Sequence, residues 1–173
     1  MKLKYLIGIL LATFHSYGAS DYQIQRIPNW INYINPEINY DKQEGDLLYL
    51  LQDEQFHAEE HFYYKHLAYK VINEKGIQSA LPVTISFNPA FQKLIIHNIK
   101  VYRNGIAISQ DINKITQVFR RETEAENYII NGLLTAYINI PDIRVGDIID
   151  FDYSIKGANP VLGNKKSYIG TLN

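Results

Sequence analysis

No cysteine occurs among the 173 residues of the chain. Disulfides, thiolate metal sites and a cysteine nucleophile are therefore excluded for this polypeptide. No charge of one sign dominates either. Lys and Arg total 17 against 18 Asp and Glu, so no global field draws the chain to nucleic acid or to an anionic membrane surface. Long hydrophobic runs are missing too: the apolar stretch from Tyr5 to Phe14 (YLIGILLATF) falls well short of the roughly 20 residues a membrane-spanning helix needs, and no later stretch is longer. No nucleophile elbow, phosphate-binding glycine loop or EF-hand is found, and no cofactor is expected.

What is present begins with an export pattern. Lys2 and Lys4 precede the apolar stretch, and Ser16-Tyr17-Gly18-Ala19-Ser20 supplies small residues after it, the three regions of a secretory signal peptide. Residues 1–19 are expected to be removed near Gly18 to Ser20, leaving a periplasmic or secreted chain with no membrane span. Disulfides would be permitted there, so the fold must rest on its core alone. Roughly 150 residues remain, enough for one domain.

Tyrosine is abundant, at 14 residues, against one Trp and one Met, and with many isoleucines this favours strands. Residues 20–45 are interrupted by Pro28, Pro36 and Gly45 and read as an extended lead-in arm anchored by Trp30 beside Ile27 and Ile31. Residues 46–173 break into short Ile-, Val-, Tyr- and Phe-rich runs between Gly, Asn, Pro and Asp, the pattern of an antiparallel all-β domain. Leu47 to Leu51 reads as a strand, with the polar residues after it in a connection. In Asp147 to Lys156 (DIIDFDYSIK), Ile149, Phe151, Tyr153 and Ile155 share one face, while Asp150, Asp152, Ser154 and Lys156 share the other. The acidic pair has calcium or general-acid chemistry as one reading, and a solvated strand face as the one adopted. Arg103-Asn104-Gly105 predicts a tight hairpin turn after LIIHNIKVY, Leu134 to Ile140 a strand, and Asn73 to Gly76 a turn. Helical spacing of Ile112, Ile115, Val118 and Phe119 allows a short helix within Asp111 to Glu126.

The stretch Phe56 to Phe62 (FHAEEHF) contains H-x-x-E-H, the spelling of an inverted zinc-protease helix. On a helix, His57 and His61 would lie about 6 Å apart along the axis and share one face. On a strand they would be about 13 Å apart, too far for one zinc. The aromatic, β-branched surroundings favour a hairpin connection, so a zinc site on His57 and His61, completed by Glu122, Glu124 or Glu126, is the lesser reading. His66 and His97 lie within strand-like runs, where a lone His is more often a satisfied structural residue than a ligand, and neither is assigned a role. Tyr63, Tyr64 and Tyr69 are candidates for stacking on sugar rings or gripping an extended peptide from an outer sheet face. The competing reading makes them ordinary half-buried strand residues.

Several segments in order carry a family likeness: Tyr69 to Gly76 (YKVINEKG), Phe87 to Leu94 (FNPAFQKL), Val101 to Gly105 (VYRNG), Arg120 to Glu122, Gly132 to Ala136, Ile143 to Phe151 (IRVGDIIDF) and Gly157 to Val161. Together with IPNWI around Trp30, this resembles the domain of unknown function that precedes transglutaminase-like domains in exported bacterial proteins. The resemblance implies an immunoglobulin-like antiparallel β-sandwich outside the cytoplasm, with no catalytic site of its own. Family members continue into further strands and a papain-like domain, whereas this chain ends at Asn173. The expectation is therefore a non-catalytic envelope module, incomplete at its C-terminal sheet edge, whose unpaired backbone groups invite a protein partner by strand addition.

Overall fold

A computed structural model describes residues 21–39, 45–120 and 132–160. The larger sheet contains β1 (Tyr22–Ile24), β2 (Leu47–His57), β3 (Phe62–Val71), β5 (Lys93–Arg103), β6 (Ile106–Ser109) and β9 (Ile148–Lys156). Its order is β1-β5-β9-β3-β2, with β6 beside β5. The smaller sheet is β4 (Val83–Phe87), β8 (Leu134–Ile138) and β7 (Thr116–Arg120), in the order β4-β8-β7. Helix α1 (Glu74–Ala80) follows β3, and the four-residue α2 (Ile112–Ile115) leads into β7. All pairings are antiparallel except β1 on β5. The chain is an all-β sandwich.

Period-two alternation builds the interface between the sheets. Tyr69, Val71, Ile96, Ile99, Ile149 and Phe151 of the larger sheet meet Ile85, Phe87, Ala136 and Ile138 of the smaller in one buried cluster. Each large aliphatic side chain in such a core contributes about 1.5–3 kcal/mol, which lets the described domain hold together without disulfides.

Motifs distant in sequence meet in space. Arg103 grips Asp147 through two bonds, Nε to Oδ1 at 2.9 Å and Nη2 to Oδ2 at 2.8 Å, and also donates from Nη1 to Asp142 at 3.1 Å. The β5 hairpin is thereby tied to the turn that launches β9. Asn73 caps α1 by accepting from the Gly76 amide at 3.0 Å while donating to Asp46 at 2.9 Å. A Cβ on Gly76 would sit 2.1 Å from the Asp46 carbonyl oxygen, and one on Gly157 would sit 2.0 Å from that of Phe91.

The hairpin at Asn104 and Gly105 has the expected positive φ angles, 51° and 77°. Other expectations are revised. Asn73 is the cap of a helix rather than part of a simple turn, because its side chain closes the first helical turn. Helical spacing after Asp111 gives only α2 before β7 takes over, since Thr116 and Val118 pack inward as strand residues. Strand β2 continues to His57, so its polar half is strand and not connection. Residues 1–20 and 161–173, on which the signal segment and the C-terminal edge fall, lie outside the described residues, as do Glu122, Glu124 and Glu126.

The glycine contacts give a test by urea denaturation. Gly76→Ala and Gly157→Ala should each cost about 3 kcal/mol or more, because the clash is with backbone. Gly105→Ala meets open space and should cost only about 1 kcal/mol, from its positive φ. Equal losses at all three would contradict the close approaches.

Candidate functional site

The polar face of β9 is not solvated. Asp150, Asp152 and Ser154 are all 0% exposed, as is His66 of β3. Parity explains the gathering: in the β3–β9 register His66 lies opposite Asp152 and Tyr64 opposite Ser154, on the face away from the core. His66 Nε2 lies 2.6 Å from Asp150 Oδ1, and the Tyr64 hydroxyl donates to Asp152 Oδ2 at 3.2 Å. On β5 the register shifts between Ile96 and Asn98, and the irregularity aims His97 at Ser154, with Nε2 to Oγ at 2.7 Å.

The lead-in arm covers this layer. The Gln25 carbonyl accepts from His97 Nδ1 at 3.0 Å, and the Tyr33 ring stacks on His66 with centroids 5.0 Å apart. Asn32 both donates to and accepts from the Gln55 side chain, at 2.9 and 2.8 Å. Trp30 sets its ring edge-on to His57 and Phe62 at 5.4 and 5.6 Å, in the anchoring role expected of it. A carbonyl only accepts, so the His97 proton sits on Nδ1 and the Ser154 hydroxyl donates to Nε2.

Burial dominates the electrostatics. It pushes the Asp152 carboxyl up to about 6, helped by the charge of Asp150 and opposed by His66, Tyr64 and Lys100. It lowers His97, against hydrogen bonds from the arm backbone that favour the charged ring. The Tyr64 and Tyr33 hydroxyls are raised far above the ordinary tyrosine range, first by burial and then by the neighbouring aspartates. His66 Nδ1, Asp150 Oδ2 and Asp152 Oδ1 find no hydrogen-bond partner within the described protein. The set contains acids, bases and a hydroxyl, but its atoms are enclosed between sheet and arm.

The candidate tyrosines separate. Tyr64 is 0% exposed in the polar layer, and Tyr69 is 5% exposed on the core face, its hydroxyl on the Ala80 carbonyl at 3.1 Å. Neither presents a ring to solvent: Tyr64 lies under the arm, and the Tyr69 ring packs edge-on to Phe151 and Tyr49 on the buried side of a cleft. Tyr63 is half-buried. This cleft, open and of about 270 Å³, lies where the larger sheet extends past β4, and Tyr69 is the one candidate tyrosine that lines it. Tyr49, Leu67 and Tyr153 form its floor, and Ser79, Pro82 and Thr84 line its other side. Burial pushes the Tyr153 hydroxyl up to about 12, with Glu54 adding to the shift. Lys65 and Glu54 pair beside the floor at 2.9 Å.

His57 closes β2 and His61 sits at φ 50° in the turn before β3, so no helix carries the H-x-x-E-H spelling. His57 Nδ1 accepts from the Glu60 amide at 3.4 Å, and the His61 carbonyl accepts from Gly157. Among the described residues no group of three or more His, Asp or Glu side chains is placed to hold a metal ion, and no helix is long and apolar enough to cross a membrane.

A family profile described as a domain of unknown function with a solved structure, DUF3857, matches residues 58–171. The chain belongs to the DUF3857 family. This match covers the strands from β3 to β9, and so the β3, β5 and β9 residues of both candidate sites, but neither the arm nor Tyr49 and Glu54 on β2. No curated protein matches the chain. Among solved structures, one described as a "putative protease" from Parabacteroides distasonis is similar at 20% identity and a TM-score of 0.54. The similarity covers 65% of this chain and 23% of that one, and at that identity it speaks to the fold alone.

Sequence reasoning missed the layer of His66, His97, Asp150, Asp152 and Ser154, and also the cleft tyrosines Tyr49 and Tyr153. One signal was present: acidic residues at alternate positions of β9 match the parity of Tyr64 and His66 on β3.

The raised Asp152 carboxyl gives a pH test. Its folded value lies above the unfolded value of about 3.9, so the folded chain binds the extra proton between the two. The cost of burying the charge is absent below about pH 4 and fully present above about pH 6. Asp152→Asn should gain stability relative to the parent chain as pH rises from 4 to 7, by roughly 2–3 kcal/mol. Urea denaturation across that range checks it, and a flat or inverted difference would contradict the assignment.

Proposed function

We propose that this DUF3857 domain is a non-catalytic, exported β-sandwich module that serves binding or assembly in the cell envelope, with the cleft beside β4 as its contact face. The observation that carries this reading is the contrast between its two sites. The groups capable of acid-base work are sealed, at 0% exposure for His66, Asp150, Asp152 and Ser154, whereas the cleft opens to solvent and is lined by aromatic and apolar side chains with hydroxyls at its rim. Aromatic rings with a polar handle at an open cleft are groups that can meet a partner's surface. The absence of cysteine removes thiol-based acyl transfer by this chain. Export is supported by the signal-like N-terminal pattern and by the resemblance to domains that precede transglutaminase-like domains.

A carbohydrate is the second reading, favoured by Tyr49 on the cleft floor, a residue that is 53% exposed. Titration of the full chain against glycan and peptide panels tests both. Tyr49→Ala and Leu67→Lys should weaken any ligand about tenfold or more, whereas Ile106→Ala, on the opposite edge of the sheet, should leave affinity unchanged. Binding indifferent to the cleft substitutions, or turnover of ester or peptide substrates by the pure chain, would overturn the proposal.

A further inference from the structure

The two sheets of the sandwich differ in width. The larger sheet is five strands across, and the smaller has three among the described residues. With neighbouring strands about 4.8 Å apart, roughly 10 Å of the larger sheet has no strand facing it among the described residues. The cleft marks the uncovered part. Its floor comes from three adjacent strands, Tyr49 on β2, Leu67 on β3 and Tyr153 on β9, and its wall is the outer side of β4. On its inner side β4 is paired with β8 along its whole length, from Val83 opposite Ile138 to Phe87 opposite Leu134. Among the described residues no backbone group of β4 is bonded across its outer side.

Resting on the binding reading above, we infer that the cleft receives an extended polypeptide segment from a partner protein, which adds to β4 as a fourth strand of the smaller sheet. The chemistry selects the occupant. A strand edge offers backbone N–H and C=O groups in a row, and only an extended backbone satisfies such a row repeatedly. A sugar or a compact apolar molecule would fill the floor and leave the edge groups unanswered. Side chains on the added strand alternate, so every second one points down, spaced about 6.6–7 Å apart, onto Tyr49, Leu67 and Tyr153. The floor also fixes the polarity of those inward residues. Lys65 and Glu54 neutralise one another at 2.9 Å, so the surface carries no net charge for a charged side chain to answer. The partner segment is therefore one of alternating small apolar and polar residues, with uncharged inward positions.

The probe is a capped octapeptide of sequence Lys-Thr-Val-Thr-Val-Thr-Val-Lys, titrated into the full chain. Two controls carry backbone N-methyl groups, one on the valines and one on the inner threonines. A strand has two edges, and each pattern blocks one of them. Strand addition predicts that one pattern lowers affinity by at least about tenfold while the other leaves it nearly unchanged. It also predicts that amide hydrogen exchange slows in Val83 to Phe87 on binding, and that Leu67→Lys abolishes both effects. If the peptide binds with sensitivity to Tyr49→Ala and Leu67→Lys, but the two N-methyl patterns are equivalent and β4 amides are unchanged, strand addition is wrong while the cleft remains a binding site. If neither the octapeptide nor any panel ligand binds, the binding reading falls together with the inference.

Discussion

The constraint on which the molecule depends is the burial of the polar face of β9. Central strands of a sandwich present one side to the opposing sheet and leave the other to be solvated or covered. Here the second side carries Asp150, Asp152 and Ser154, all withdrawn from solvent. Two carboxylates in such a place are costly unless paired. The fold answers with His66 on β3 against Asp150 and the Tyr64 hydroxyl against Asp152, while His97 on β5 takes the Ser154 hydroxyl. It then closes the layer with the lead-in arm. The arm is thus part of the domain's packing rather than a tether: Tyr33 lies flat on His66 and the Gln25 carbonyl fixes the His97 tautomer.

This arrangement separates two kinds of surface. On the arm side, groups with catalytic potential are consumed by packing and by one another. On the other side, the narrow second sheet leaves the aromatic floor beside β4 open. Several residues of the segments that carry the resemblance serve this frame. Arg103 ties the β5 hairpin to the Asp147 turn, Asn73 and Gly76 dock α1 against Asp46, and Gly157 lets the end of β9 pass the Phe91 carbonyl. Each holds the ends of long strands in place, whereas Tyr69 and Phe151 of the same segments line the cleft.

Much of the sandwich was legible because strand alternation and turn chemistry are local. Ile149 and Phe151 face the core as their spacing requires, and Asn104-Gly105 turns the chain as its backbone freedom allows. The covered face was not legible, because alternation assigns Asp150 and Asp152 to one side of a strand without saying what lies above it. That depends on where an arm more than a hundred residues upstream comes to rest. The same limit applies to Tyr64 and Tyr69, for which an outer-face role remains open beside the half-buried one until the arm is seen over Tyr64 and the sheet interface around Tyr69. The cleft was hidden for a related reason: Tyr49, Leu67 and Tyr153 are neighbours only through strand order.

The most direct test uses the chain's single tryptophan, which sits on the arm. Trp30 fluorescence reports whether the arm is docked against His57 and Phe62, and far-ultraviolet circular dichroism reports the sheets. Followed together through a urea titration of the full chain, the two signals should move in one coincident transition, since the polar layer and its cover are a single packed unit. Release of Trp30 at low urea with the sheets intact would contradict the account, because the buried aspartates would then stand without the arm that is held to seal them.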